Sequence, residues 1–414
     1  MLRRYQTAII WVLGIVYFIN FPGYASVVVD SGVPRVFNVY TFVVLLLPIA
    51  FRVASTPRLL NAVLTNPLLY WCLVYLLIAC IWFPFSGHSS VEQQAFASRA
   101  RMVLYVLGFL LLFSEPWSLD LARKAVVIAC VIAAALNLVD FADPGLFVPL
   151  DEEFANPGRG AGFYINANRA GAALAIGFAL GMGAVGNRWR VLFAAALLAG
   201  ILVTFSRSAA IALFVVILIA WRGAVLSPKQ VIVAVLGVTA LAGIAVITLV
   251  SDSAWTDVAN VDNMVARLSF FMDPLGTPDY STVERSLAAR TGLEYFADRP
   301  LLGHGIGATY AWRFNVSTHN MYLYYLVEYG VVGLLLFPML IWVCVRGSRP
   351  PMRAWLLAWA AAMFTVGFFT HNAGEEPFFV LSYALAASMT SVSQRDFVPG
   401  AGAAQAKRDD AADG

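Results

Sequence analysis

The residues able to do chemistry in this chain are one histidine and a few arginines set at the edges of apolar runs. His319 stands in Ser317-Thr318-His319-Asn320, directly ahead of the run that opens at Met321. Thr318 is a candidate cap for a helix starting there. The positive end of a helix dipole favours the neutral imidazole, the form that accepts a proton. His319 is therefore a general-base candidate, with Asn320 beside it to orient the ring or touch a substrate. Arg207, in Thr204-Phe205-Ser206-Arg207-Ser208, lies between two apolar runs, where a charge is costly and usually faces protein, water or a bound anion. Arg285 and Arg290 belong to a polar stretch, residues 281–298. It reads as a helix with Ser281 and Glu284 as a capping box and Leu287, Leu293 and Phe296 on its buried side. A guanidinium grips phosphate through paired hydrogen bonds, so Arg207, Arg285 and Arg290 fit the head group of a phosphorylated lipid. Each arginine alone also fits an ordinary role, snorkelling to an interface or facing solvent; the case rests on their grouping near His319.

Glu328 falls in the helix after His319 and needs a partner inside the membrane, one that the sequence does not name. Thr370-His371-Asn372, ahead of Glu375 and Glu376, repeats the His-Asn pair and is a secondary candidate for the same cavity, while His88 and His304 read as loop residues. No outward loop holds the compact acidic pair expected of a metal-dependent lipid-linked sugar transferase and no metal-ligand spacing of His or Cys occurs, so metal-free chemistry is expected.

The elements that must position these residues are transmembrane helices. Of 414 residues, 60% are hydrophobic and 12% charged, with a mean hydropathy of +0.76, which excludes an ordinary water-soluble fold. Apolar runs of membrane-crossing character recur at 5–24, 36–51, 67–85, 102–114, 123–139, 169–186, 189–205, 208–221, 230–250, 319–345, 354–370 and 377–392. The first run lacks a small-residue cleavage pattern and reads as a retained helix. Residues 88–101 read either as an interfacial amphipathic helix or as a loop. Cys72, Cys80, Cys130 and Cys344 all lie in runs, as small hydrophobes. With the N-terminus inside, the inner loops collect most of the 27 Lys and Arg, including every lysine. Two long connections then face outward, 140–168 and 251–318. The basic residues form no stripe, so no nucleic-acid partner is expected. The expected organisation is helices one to nine over 1–250, an outward loop or cap over 251–318 carrying Arg285, helices ten to twelve over 319–393, and a disordered inner tail over 394–414.

Four features, in order along residues 160–335, resemble the O-antigen ligase and polymerase family. They are Gly162-Phe163-Tyr164-Ile165-Asn166-Ala167-Asn168, the Ser206-Arg207 pair, Glu284-Arg285 leading to Pro300-Leu301-Leu302-Gly303-His304-Gly305, and His319-Asn320 with Gly330 and Gly333 beyond it at the ligase-signature spacing. The resemblance implies an all-α polytopic membrane protein of about twelve transmembrane helices, GT-C-like, with a large, partly helical periplasmic loop. It implies an inverting transfer of polysaccharide from undecaprenyl pyrophosphate to the lipid A-core oligosaccharide at the periplasmic face of the inner membrane, with no cofactor. Arg207 and Arg285 would hold the pyrophosphate and His319 would be the base. Two positions depart from the pattern: Ala167 where relatives often carry proline, and His304 where an aliphatic residue is usual. An O-antigen polymerase and a protein O-oligosaccharyltransferase remain open within the same family. A transporter is a more distant alternative, although the candidate residues gather at one face and not at the bilayer midplane.

Overall fold

The computed structural model describes residues 2–28, 35–150, 152, 158–223, 225–230, 232–233, 236–237, 280–312, 318–350, 352–371 and 373–395. Most of the expected span 230–250, the first part of the expected cap and nearly all of the expected tail lie outside the described residues. Every regular element among the described residues is helical.

α1 (Leu2–Phe18) and α2 (Phe21–Val27) make one apolar stretch bent by 55° at Asn20, which takes φ 61°. α3 (Arg35–Ala54) and α4 (Pro57–Leu64) bend by 110° across Ser55 and Thr56. A residue ahead of proline avoids the helical region, whereas proline itself is pre-set for a first helical turn. The same device opens α5 (Pro67–Trp82), α7 (Pro116–Ala142) and α16 (Pro377–Arg395). Between α5 and α7 runs α6 (Ser90–Leu112), which absorbs most of residues 88–101 into one long helix; neither an interfacial helix nor a loop is present there. Its start is set by a capping box between Ser89 and Glu92. Next come α8 (Ala167–Gly181), α9 (Arg190–Leu202) and α10 (Arg207–Arg222). The last part holds α11 (Tyr280–Asp298), α12 (Ala308–Ala311), α13 (Met321–Tyr329), α14 (Gly333–Val345), α15 (Arg353–Gly367) and α16.

Among the described residues, four helices are long and apolar enough to cross a bilayer alone, or six if each bent pair is one span. That is fewer than the twelve expected from runs of apolar residues. The difference lies in helices such as α8, α9 and α10, of 15, 13 and 16 residues, about 20–24 Å long against roughly 30 Å of hydrocarbon. α8 need not match the lipid, because every residue from Ala170 to Gly181 is buried by other helices. Its Ala and Gly content lets neighbours approach closely, and a Cβ at Gly177 would sit 2.2 Å from the Cys130 sulfur. The outside of the bundle is apolar instead. On α3, Tyr40, Val44, Leu47 and Phe51 follow helical spacing and are all more than half exposed, Phe51 by 76%. A stripe of that kind faces lipid and not water.

Alternation of the helices brings the starts of α6, α8, α10, α13 and α16 to one face. Tyr164 donates to the Phe18 carbonyl at 2.6 Å, and Ala161 and Gly162 N–H donate to the Asp140 carboxylate at 2.7 and 2.9 Å. Gly160 N–H reaches the Val203 carbonyl at 2.8 Å. The opposite face is closed by Arg52 with Glu115 at 2.8 Å and by Asn66 with Ser391 at 3.2 Å.

Candidate functional site

Four helices reach the shared face by one local device. His88, Ile165, Phe205 and His319 have φ of 61°, 65°, 46° and 46°. Directly after each comes a residue whose side chain caps a helix: Ser89, Asn166, Ser206 and Asn320. A left-handed residue reverses the chain sharply so that the next side chain can turn back onto the first free N–H groups. For a residue with a Cβ this conformation costs about 1–2 kcal/mol, a strain that proteins concentrate at functional positions. Three of the four turns are the segments singled out by sequence, Tyr164-Ile165-Asn166, Phe205-Ser206-Arg207 and His319-Asn320.

At the third turn, Asn320 accepts from the Tyr322 and Leu323 N–H groups at 2.9 and 3.0 Å. Asn320, and not Thr318, is therefore the cap, and its side chain serves the helix. Thr318 donates to the Asn320 carbonyl at 3.2 Å. His319 is half-buried, and its ring packs edge-to-face against His371 with 5.2 Å between centroids. Burial first, then the positive charges of Arg285 and Arg169, push its pKa down to about 4. The ring is neutral at pH 7, as expected, but burial and two guanidinium groups are the causes. His371 is also held well below the ordinary range, by burial, by His319 and by Arg169.

Arg207 occupies the first position of α10 and is half-buried on the shared face. Arg285, also half-buried, lies on α11 and acts on His319 through its charge. Arg290, on the same helix, has its side chain 81% exposed and pairs with Glu294 at 3.3 Å. Ser281 lies within the described helix α11 and not at a cap. Its buried side is Ala288, Thr291 and Gly292, while Leu287 and Leu293 are exposed. Gly292 lies on the contact with α13, where a Cβ would meet the Leu323 side chain at 2.6 Å.

Two charged pairs were not found by sequence reasoning. Arg169, in the first turn of α8, bridges to Glu376 at 2.6 Å. Its position directly after Asn166-Ala167-Asn168, together with Glu376 shortly after His371, was the available signal. Arg99 of α6 is the missing partner of Glu328. The two pair at 2.5 Å with side chains 3% and 0% exposed. Arg99 also donates to the Tyr324 hydroxyl and to the Ala95 carbonyl, and lies 3.7 Å from Glu375. The other Glu328 oxygen accepts from Gly307 N–H at 2.8 Å.

The turn-rich segment 300–307 is thereby stitched to the α13–α14 junction. His304 N–H donates to the Val327 carbonyl at 2.9 Å, Gly305 N–H to Glu328 at 3.1 Å and Val331 N–H to Pro300 at 2.8 Å. Gly330 makes the break, with φ 61° and ψ −147°, a region open to glycine alone. A Cβ there would lie 2.4 Å from the Leu301 carbonyl oxygen. The His304 ring contacts the Tyr295 carbonyl at 2.8 Å, pinning the segment to α11. Among the described residues, no three His, Cys, Asp or Glu side chains gather as a metal-binding group.

The arrangement sets half-buried arginines and a neutral imidazole at one face of an apolar bundle. A sequence profile of the family described as O-antigen ligase matches residues 191–338, from α9 into α14, including Arg207, Arg285, His319 and Gly330. No curated protein matches the chain.

Proposed function

We propose, from the likeness of residues 191–338 to the O-antigen ligase family, that this chain belongs to that family and is the ligase itself. In this reading it moves a polysaccharide from undecaprenyl pyrophosphate to the lipid A-core oligosaccharide at the periplasmic face of the inner membrane. The observation that carries the proposal is the neutral His319 flanked by the charges of Arg285 and Arg169 on the face where Arg207 opens α10. His319 takes the proton of an acceptor sugar hydroxyl. The freed oxygen pair attacks the anomeric carbon from the side opposite the donor phosphate, so the configuration inverts. The anomeric carbon–oxygen bond breaks with its electrons going to the pyrophosphate, and Arg207 and Arg285 stabilise that charge. Arg290 meets the donor from the exposed side of α11, and Asn320 acts by fixing the backbone that carries His319. Neither metal nor nucleotide enters this scheme. The proposal includes a GT-C-like, twelve-span architecture with residues 251–318 as the cap.

The test is transfer by purified protein in liposomes holding an undecaprenyl-pyrophosphate glycan and lipid A-core. Wild type should glycosylate the core, and His319→Ala should lower kcat by about 10²–10⁴-fold. Elongation of a second lipid-linked glycan would identify a polymerase, and transfer to a serine or threonine of a protein an oligosaccharyltransferase. Either result without core glycosylation overturns the ligase reading.

A further inference from the structure

We propose that Leu301 and Leu302, at the tip of the turn that follows α11, are a membrane anchor. Their side chains stand among the acyl chains of the leaflet on the side of the shared face, and they tie α11 to the bilayer. The proposal uses no step of the transfer reaction and goes beyond it.

Height in the bundle carries the argument. Met321–Val345 reads as one span of 25 residues, about 37 Å long against roughly 30 Å of hydrocarbon. At its far end the Cys344 carbonyl accepts from Thr390 at 3.0 Å, next to the Asn66–Ser391 contact that closes the opposite face. The break at Gly330 follows the nine residues of α13, so it lies about 13 Å below the mouth at Asn320 and about 21 Å above Cys344. Val331 N–H holds the Pro300 carbonyl to that break at 2.8 Å. A second ruler gives the same level. The Trp82 indole, at the end of α5, donates to the Leu302 carbonyl at 2.6 Å, and the 16 residues of α5 rise about 24 Å from the opposite face. Both rulers put the turn within one hydrocarbon thickness of that face, and not above it.

At this level Leu301 and Leu302 are 72% and 56% exposed. They join two exposed apolar stripes at helical spacing, Leu77, Ile81 and Phe85 on the α5 side and Val331 and Leu335 at the start of α14. A lone exposed leucine is ordinary, whereas a joined apolar patch at this height meets lipid. Two carbonyls of the turn are already served within the protein, by Trp82 and Val331, which lowers the cost of placing backbone in hydrocarbon. Directly before the leucines, Asp298 and Arg299 are exposed and 3.7 Å apart. The chain thus passes from a charged pair to an apolar pair within two residues, beside an indole, the pattern of a membrane interface. The His304 ring joins the same turn to the Tyr295 carbonyl at 2.8 Å. Anchoring the turn therefore also holds α11, the helix that carries Arg285.

The test uses full-length protein in vesicles of phosphatidylethanolamine and phosphatidylglycerol. Cys80 is the exposed cysteine and the other three are buried, so Cys80→Ser gives a quiet background. In it, Leu301→Cys, Leu302→Cys and, as a water-facing reference, Arg290→Cys are each labelled with a water-soluble maleimide bimane. Leu301 and Leu302 are exposed, so their replacement leaves the packing within the protein intact. Labelling at 301 and 302 should be at least about tenfold slower than at 290, because apolar surroundings suppress the reactive thiolate. Bimane placed at 301 or 302 before reconstitution should be quenched by phospholipid brominated on its acyl chains, and bimane at 290 should not. Labelling at 301 and 302 as fast as at 290 overturns the anchor. Slow labelling without quenching also overturns it, since a second copy of the chain or another protein then covers the patch. No glycan enters this assay, so its failure leaves the ligase reading untouched, and failure of core glycosylation leaves the anchor untouched.

Discussion

Glu328 and His319 lie on one short stretch of chain, and the fold treats their ionisable groups in opposite ways. Glu328 is fully buried, with Arg99 on one carboxylate oxygen and Gly307 N–H on the other. His319 stands at the mouth, half-buried in a left-handed turn, kept neutral by burial and by neighbouring cations. The first arrangement holds four segments together: α6, α13, the 300–307 turn and, through Arg99 and Glu375, the turn before α16. The second keeps the imidazole of the candidate base uncharged. Full pairing offsets the cost of a buried charge, whereas desolvation and like charge destabilise one protonation state.

Glu328→Ala should be the most disruptive change on the architectural side, since it strands a buried guanidinium at a cost of about 3–5 kcal/mol. Thermal unfolding in detergent would read it. A paired Arg99→Met, Glu328→Met protein should recover most of the loss, and failure to recover would mean that the pair does more than neutralise itself. Gly330→Ala should cost about 1–3 kcal/mol through its backbone conformation. It should also loosen the 300–307 segment, seen as faster amide exchange at His304 and Gly305. A further effect is a pH effect at the mouth. Folded His319 takes a proton only near pH 4, whereas the unfolded chain takes it near ~6.5. The unfolded state therefore binds more protons between those values, and this stability contribution falls as pH drops through the window. Removing one cause of the shift, as in Arg285→Gln, should move the acid limb of kcat/KM upward. An unmoved limb would assign the shift to burial and Arg169 alone.

Part of the candidate site was legible because its signals are local. Ser206-Arg207 and His319-Asn320 announce helix starts beside a candidate side chain, since Ser206 and Asn320 are small polar residues that cap the helices following them. Gly330 breaks a helix so that Gly303 can dock against the break, a role that its spacing from His319 does not reveal. The α11 face was misread because exposed leucines in a membrane protein carry no inward meaning; there, small Ala288 and Gly292 mark the contact.

The sequence by itself determined the membrane setting, most helix starts and the types of residue at the site, because hydropathy, proline and capping act over a few neighbouring positions. Which charges meet was decided by the tertiary structure alone. Arg99 with Glu328, Arg169 with Glu376 and His319 with His371 are each separated by dozens to hundreds of residues. Their pairing depends on helix packing that composition and spacing do not encode locally, and so does the pKa of the candidate base, which arises from burial and from arginines on two other helices.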